Sequence, residues 1–116
     1  MAWRCFMAKT TEDRRIVGAV WEQDPKDFPL RPIDSTLDNG NILLVSIPSL
    51  SPYPIRWSPH FTVGFGGQWQ IISGEPPNIT VMPSIGYPGV YHGWLRDGIL
   101  TDDLDGREYP LWAATA

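Results

Sequence analysis

Only one cysteine, Cys5, occurs in the 116 residues. That excludes an intrachain disulfide framework, and a lone thiol fits a reducing compartment. Long apolar runs are also missing: none approaches the roughly 18 residues of a membrane-spanning helix. The opening Met-Ala-Trp-Arg-Cys-Phe-Met is too short and too aromatic to read as a signal peptide. A cytoplasmic location with no membrane partner is expected. Basic charge is scarce, with nine Lys and Arg against thirteen Asp and Glu, a net charge of −4. Direct nucleic-acid binding is not expected, because such proteins gather Lys and Arg on one face. The one basic pair, Arg14-Arg15, follows Glu12-Asp13 and reads as a solvated turn.

Sustained apolar spacing at three and four residues is absent too, so little or no helix is expected. What is abundant is proline (12) and glycine (11), with six Trp, four Tyr and four Phe. Pro and Gly break helices and punctuate turns, while aromatics suit pleated, half-buried surfaces. So many aromatics also argue against disorder. These biases predict a single mainly β domain over residues 1–116, a small antiparallel sandwich or a partly open barrel with Pro/Gly-rich loops.

Residues 2–8 and 15–22 read as strands joined by the polar stretch 9–14, hence a hairpin. Three prolines deny any long helix to residues 23–37. The Asp38-Asn39-Gly40-Asn41 turn precedes Ile42–Ile47, an apolar run suited to a strand buried on both faces. Residues 49–59 read as a proline-stiffened loop presenting Tyr53, Ile55 and Trp57. Gly66-Gly67 marks a hairpin between residues 60–65 and 68–73. Strands at 79–82, 90–95 and 99–100 follow, the last two joined by an Arg96-Asp97-Gly98 turn. The tail, residues 111–116, suits an edge strand or one helical turn.

Chemistry-bearing residues are few. Cys5, His60 and His92 are the only soft metal ligands and none is paired, so no zinc site is expected. A nucleophilic set drawn from Cys5, a histidine and Asp97 is weaker than core packing of Cys5, which shares one strand face with Trp3 and Met7. Glu75 with Asp97 as a glycosidase pair is weaker than turn chemistry before Pro76-Pro77. Asp102-Asp103-Leu104-Asp105-Gly106 is oxygen-rich like a cation-binding loop, but Arg107 stands where further ligands are needed, which favours a solvated acidic turn. The aromatics carry most weight: Trp69 and Trp94 are expected in the core, and Tyr53, Trp57, Tyr87, Tyr91 and His92 form the expected binding surface.

The segment Trp69-Gln-Ile-Ile-Ser-Gly-Glu-Pro-Pro-Asn-Ile-Thr-Val-Met-Pro-Ser-Ile85, continued by Tyr91-His-Gly-Trp-Leu-Arg-Asp-Gly-Ile-Leu100, resembles a family of small tailed-bacteriophage proteins of unknown function. The resemblance covers about a third of the chain. Many relatives carry a Cys-rich, zinc-like knuckle; this chain has no Cys-x-x-Cys, so the metal is not carried over. A phage origin implies the host cytoplasm, or the virion, as location. The expectation is a non-enzymatic, cofactor-free accessory protein that binds another protein, either a host-defence component or a phage structural protein. A virion decoration protein is the alternative, and a carbohydrate-binding module the third.

Overall fold

The computed structural model describes residues 2–29, 31–62 and 68–109. Among the described residues nine strands form two stacked sheets that do not close into a barrel, which decides between the two expected architectures in favour of the sandwich. They are β1 (Trp3–Arg4), β2 (Phe6–Met7), β3 (Ala19–Gln23), β4 (Ile42–Ile47), β5 (Ile55–Trp57), β6 (Gln70–Ser73), β7 (Thr80–Tyr87), β8 (Tyr91–Arg96) and β9 (Ile99–Leu100). One sheet has the order β1-β9-β8-β7-β6, the other β2-β3-β4-β5. Helical structure among the described residues is limited to single 3₁₀ turns at Asp13–Arg15 and Pro25–Asp27.

The expected first hairpin is not formed. Phe6 and Met7 pair with Ala19 and Val20 in parallel, the one parallel pair among the described strands. The cause is a change of sheet at Cys5. Trp3 and Arg4 pair with β9, Cys5 donates its amide to Gly98 at 2.7 Å, and Phe6 then donates to Gly18, which directly precedes β3 of the other sheet. The chain must therefore loop back through residues 8–18 before it re-enters beside β2, as a parallel connection requires. The same crossing breaks the face shared by Trp3, Cys5 and Met7: the first two are buried and Met7 is exposed.

Strand β4 is buried along its whole length, as its apolar run predicts. It is an inner strand, with β3 and β5 as neighbours. Strand β5 corrects the expected loop over residues 49–59: Ile55, Arg56 and Trp57 pair with Ile47, Ser46 and Val45. Asp97 and Gly98 have φ of 48° and 72°, the left-handed pair that a tight β8–β9 hairpin needs. The ladder between β7 and β8 is interrupted between Val81 and Ile85, around Pro83, which has no N–H to donate.

The core unites both sheets. Trp3 meets Tyr91 and Tyr109 edge to face at 6.3 and 5.6 Å, and Trp57 meets Trp69 in the same way at 5.2 Å. Gly93 is required by this packing, since a Cβ there would fall 2.1 Å from the Tyr91 hydroxyl. Trp69 and Trp94, expected in the core, are only half-buried. The expected Gly66-Gly67 hairpin and the tail over 111–116 lie outside the described residues.

Candidate functional site

Ser46 is the one polar residue of β4 and is fully buried. Its hydroxyl donates to the Arg14 carbonyl at 2.6 Å, and its own carbonyl accepts from Gly18 at 2.8 Å. The 3₁₀ turn carrying Arg14 and Arg15 is thereby fastened to the sheet. At its N-terminal side, Asp13 accepts from the amides of Lys9 and Thr10, and the Lys9 amide leads the causes that hold its carboxyl below the usual range. Arg56 of β5 is the cross-strand partner of the same Ser46. One buried serine thus sets the positions of arginines distant in sequence.

The guanidinium of Arg14 lies 5.0 Å from the ring centre of Trp21, and that of Arg56 lies 5.9 Å from it. Arg15 lies over Tyr53 at 5.7 Å. Long basic side chains thus cover an indole that is itself buried, keeping their charged ends in water. Tyr53 is 61% exposed, and its backbone carbonyl is held by the hydroxyls of Ser49 and Ser51, each at 2.8 Å. The result is a cleft of about 340 Å³ lined by Thr11, Arg14, Arg15, Tyr53, Pro54 and Arg56. No carboxylate forms an ion pair with these three arginines among the described residues; the ion pairs found there join His92, Asp103, Asp105 and Arg107.

The expected binding surface is divided by the fold. Tyr53 alone of its five residues faces the arginine cleft. Trp57 and Tyr91 are corrections: they are 1% and 0% exposed, because each sits on an inward position of its strand. The Tyr91 hydroxyl is satisfied by the Thr101 carbonyl at 2.6 Å. Burial leads the causes that raise its pKa. Tyr87 and His92 meet at a second, smaller cleft of about 220 Å³, with Gly86, Pro88 and Asp105. A third cleft, about 490 Å³, lies between Ser35–Asp38 and Gln68–Ile71 and includes His60, whose Nδ1 is 3.0 Å from the Ser35 hydroxyl. Burial lowers the pKa of His60.

The acidic turn is an internal clamp. Asp103 is buried, and both its oxygens face Arg107 Nη1, at 3.0 and 3.3 Å; the same Nη1 reaches Asp105 at 3.0 Å. Arg107 therefore supplies the positive charge that a cation would have supplied. Among the described residues no three His, Cys, Asp or Glu side chains are arranged to hold a metal ion. Cys5 is buried, and that burial pushes its thiol up to about 12, which removes its nucleophilic character. Asp97 is engaged by Thr80. No helix among the described residues is long and apolar enough to cross a membrane.

Arg56 is not legible as a site residue in the sequence, where Arg14-Arg15 read as solvated. The available signal is Ser46 inside an apolar run, since a buried hydroxyl must find a partner. No family model matches this chain, and comparisons with curated proteins and with solved structures find no match either.

Proposed function

We propose that this protein is a binding module whose arginine–tyrosine cleft takes an acidic segment of a protein partner. The carrying observation is the convergence of Arg14, Arg15 and Arg56 around exposed Tyr53 with no ion-paired carboxylate among the described residues, on a chain of net charge −4. Arginine offers a planar fork of donors suited to carboxylates, and arginine and tyrosine are enriched where interfaces draw their energy. Both are held in advance, Arg14 through Ser46 and Tyr53 through Ser49 and Ser51, so less entropy is lost on binding. The resemblance of residues 69–85 and 91–100 to tailed-phage proteins supports a host-defence component or a virion protein as the partner.

The virion reading has no separate structural observation in its favour. The carbohydrate reading needs two aromatics in line, and among the described residues Tyr53 is the only aromatic lining its cleft. The test is quantitative capture of partners by the wild-type protein and by the Arg15→Ala/Arg56→Ala variant across a salt series. A partner lost in the variant, and lost from the wild type as salt rises, supports the reading. Equal capture by both proteins overturns it.

A further inference from the structure

We propose that Ser84, His92 and Asp105 form a nucleophilic relay that transfers the acyl group of small esters, an activity separate from the arginine cleft and independent of it. The Ser84 hydroxyl lies 3.4 Å from His92 Nε2, and His92 Nδ1 lies 3.2 Å from Asp105 Oδ1. Nucleophile, base and orienting acid thus occupy the two nitrogens in the order that acyl transfer needs. Asp105 as a carboxylate only accepts, so it places the imidazole proton on Nδ1 and leaves the Nε2 lone pair toward Ser84.

An exposed His–Asp pair contributes little to stability, which does not account for how firmly this one is held. Leu104 donates its amide to the His92 carbonyl at 2.6 Å, and the His92 amide donates to Asp103 at 3.3 Å. Asp103 also accepts from the Asp105 amide at 2.7 Å, and Arg107 ties both carboxylates together. The turn bearing the acid is therefore bolted to the strand bearing the base. Ser84 stands in the interrupted stretch of the β7–β8 ladder, the kind of irregularity that re-aims side chains at active sites.

Room for a substrate lies beside the pair. Gly86 is the cross-strand partner of His92, and a Cβ at Gly86 would meet nothing within 4 Å. The imidazole borders a cleft of about 220 Å³ whose walls also include Gly86, Tyr87, Pro88 and Asp105. That volume is below the usual range for drug-sized ligands, and half-buried Ser84 is outside its lining, so the class proposed is a small ester that reaches Ser84 past His92.

In the first step Ser84 Oγ bonds to the ester carbonyl carbon while its proton passes to His92 Nε2. The tetrahedral adduct collapses, the ester C–O bond breaks, and the leaving alkoxide takes that proton and departs as the alcohol. Water, deprotonated by the same nitrogen, then attacks the acyl-serine and releases the carboxylic acid, returning the proton to Ser84.

The test is labelling with an alkyl fluorophosphonate, with the adduct mapped by peptide mass spectrometry. The wild type is expected to carry the adduct on Ser84. His92→Gln should slow labelling at least about 100-fold, the low end of general-base contributions, and Asp105→Asn by about tenfold. Circular dichroism checks that the variants fold; if His92→Gln does not, Asp105→Asn and the mapped wild-type site decide. An adduct absent from Ser84, or formed at equal rate in the folded variants, overturns the proposal.

Discussion

The hydroxyl of Tyr109 lies 2.5 Å from a carboxylate oxygen of Asp103. It also lies 2.5 Å from the Val90 carbonyl, so this phenol joins the last described segment to the strand region before β8. Asp103 is the hub: it receives Arg107 and the amides of His92 and Asp105 in addition. Removing its charge while leaving Arg107 in place is expected to cost about 2–3 kcal/mol, the range for bonds to charged, buried groups. Urea denaturation of Asp103→Asn should show that loss, and Tyr109→Phe about half of it.

The pH dependence follows from the same hub. Burial acts to raise the Asp103 pKa, but the bonds from Tyr109, Arg107 and the Asp105 and His92 amides outweigh it and hold the group at about 2. A carboxylate whose folded pKa lies below its unfolded value near 3.8 stabilises the fold fully above that value, and this stability is lost as pH falls through about 2. Wild type should therefore lose about 2 kcal/mol more than Asp103→Asn between pH 5 and pH 2. Parallel denaturation curves for the two proteins would contradict this.

Cys5 should be chemically silent in the native protein. Its thiol is buried and its pKa stands at about 12, so the thiolate is essentially absent at pH 8. Reaction with a disulfide reagent such as Ellman's is expected only as fast as the protein opens, and at once in 6 M guanidinium. Raising stability should slow the native reaction in proportion.

Trp57 and Tyr53 separate core from surface. Trp57→Ala removes a buried indole that packs on Trp69 and is expected to cost about 3–5 kcal/mol. Tyr53→Ala lies at an exposed side chain and should change stability by no more than about 0.5 kcal/mol. Thermal melts of the two variants distinguish these outcomes, and the Tyr53 variant should weaken partner capture while remaining folded.

Features carried by local chemistry are legible in the residues themselves. Ile42–Ile47 is apolar at alternate and adjacent positions alike, which only a strand covered on both sides tolerates. Asp97-Gly98 carries its turn in two residues, because few pairs adopt positive φ together. Features that depend on where the chain goes next are not legible in this way. Trp57 and Tyr53 are four residues apart in one proline-rich stretch, yet one is in the core and the other in water, because strand β5 begins between them.

The sequence by itself determined the class of this protein: proline, glycine and aromatic residues without helical spacing leave a β domain, and one cysteine leaves these 116 residues without an intrachain disulfide. Only the tertiary structure decided that β2 and β3 run parallel, because the sheet change at Cys5 is a matter of which edge is free to accept its amide. Tertiary structure also decided the sites. Arg56 joins Arg14 through Ser46, and Ser84 meets His92 and Asp105 through an interrupted ladder and a clamped turn. Pairing register follows from which strand faces are buried and from the turns, and both depend on which strands become neighbours, so residues far apart in the chain meet only once the sheets have assembled.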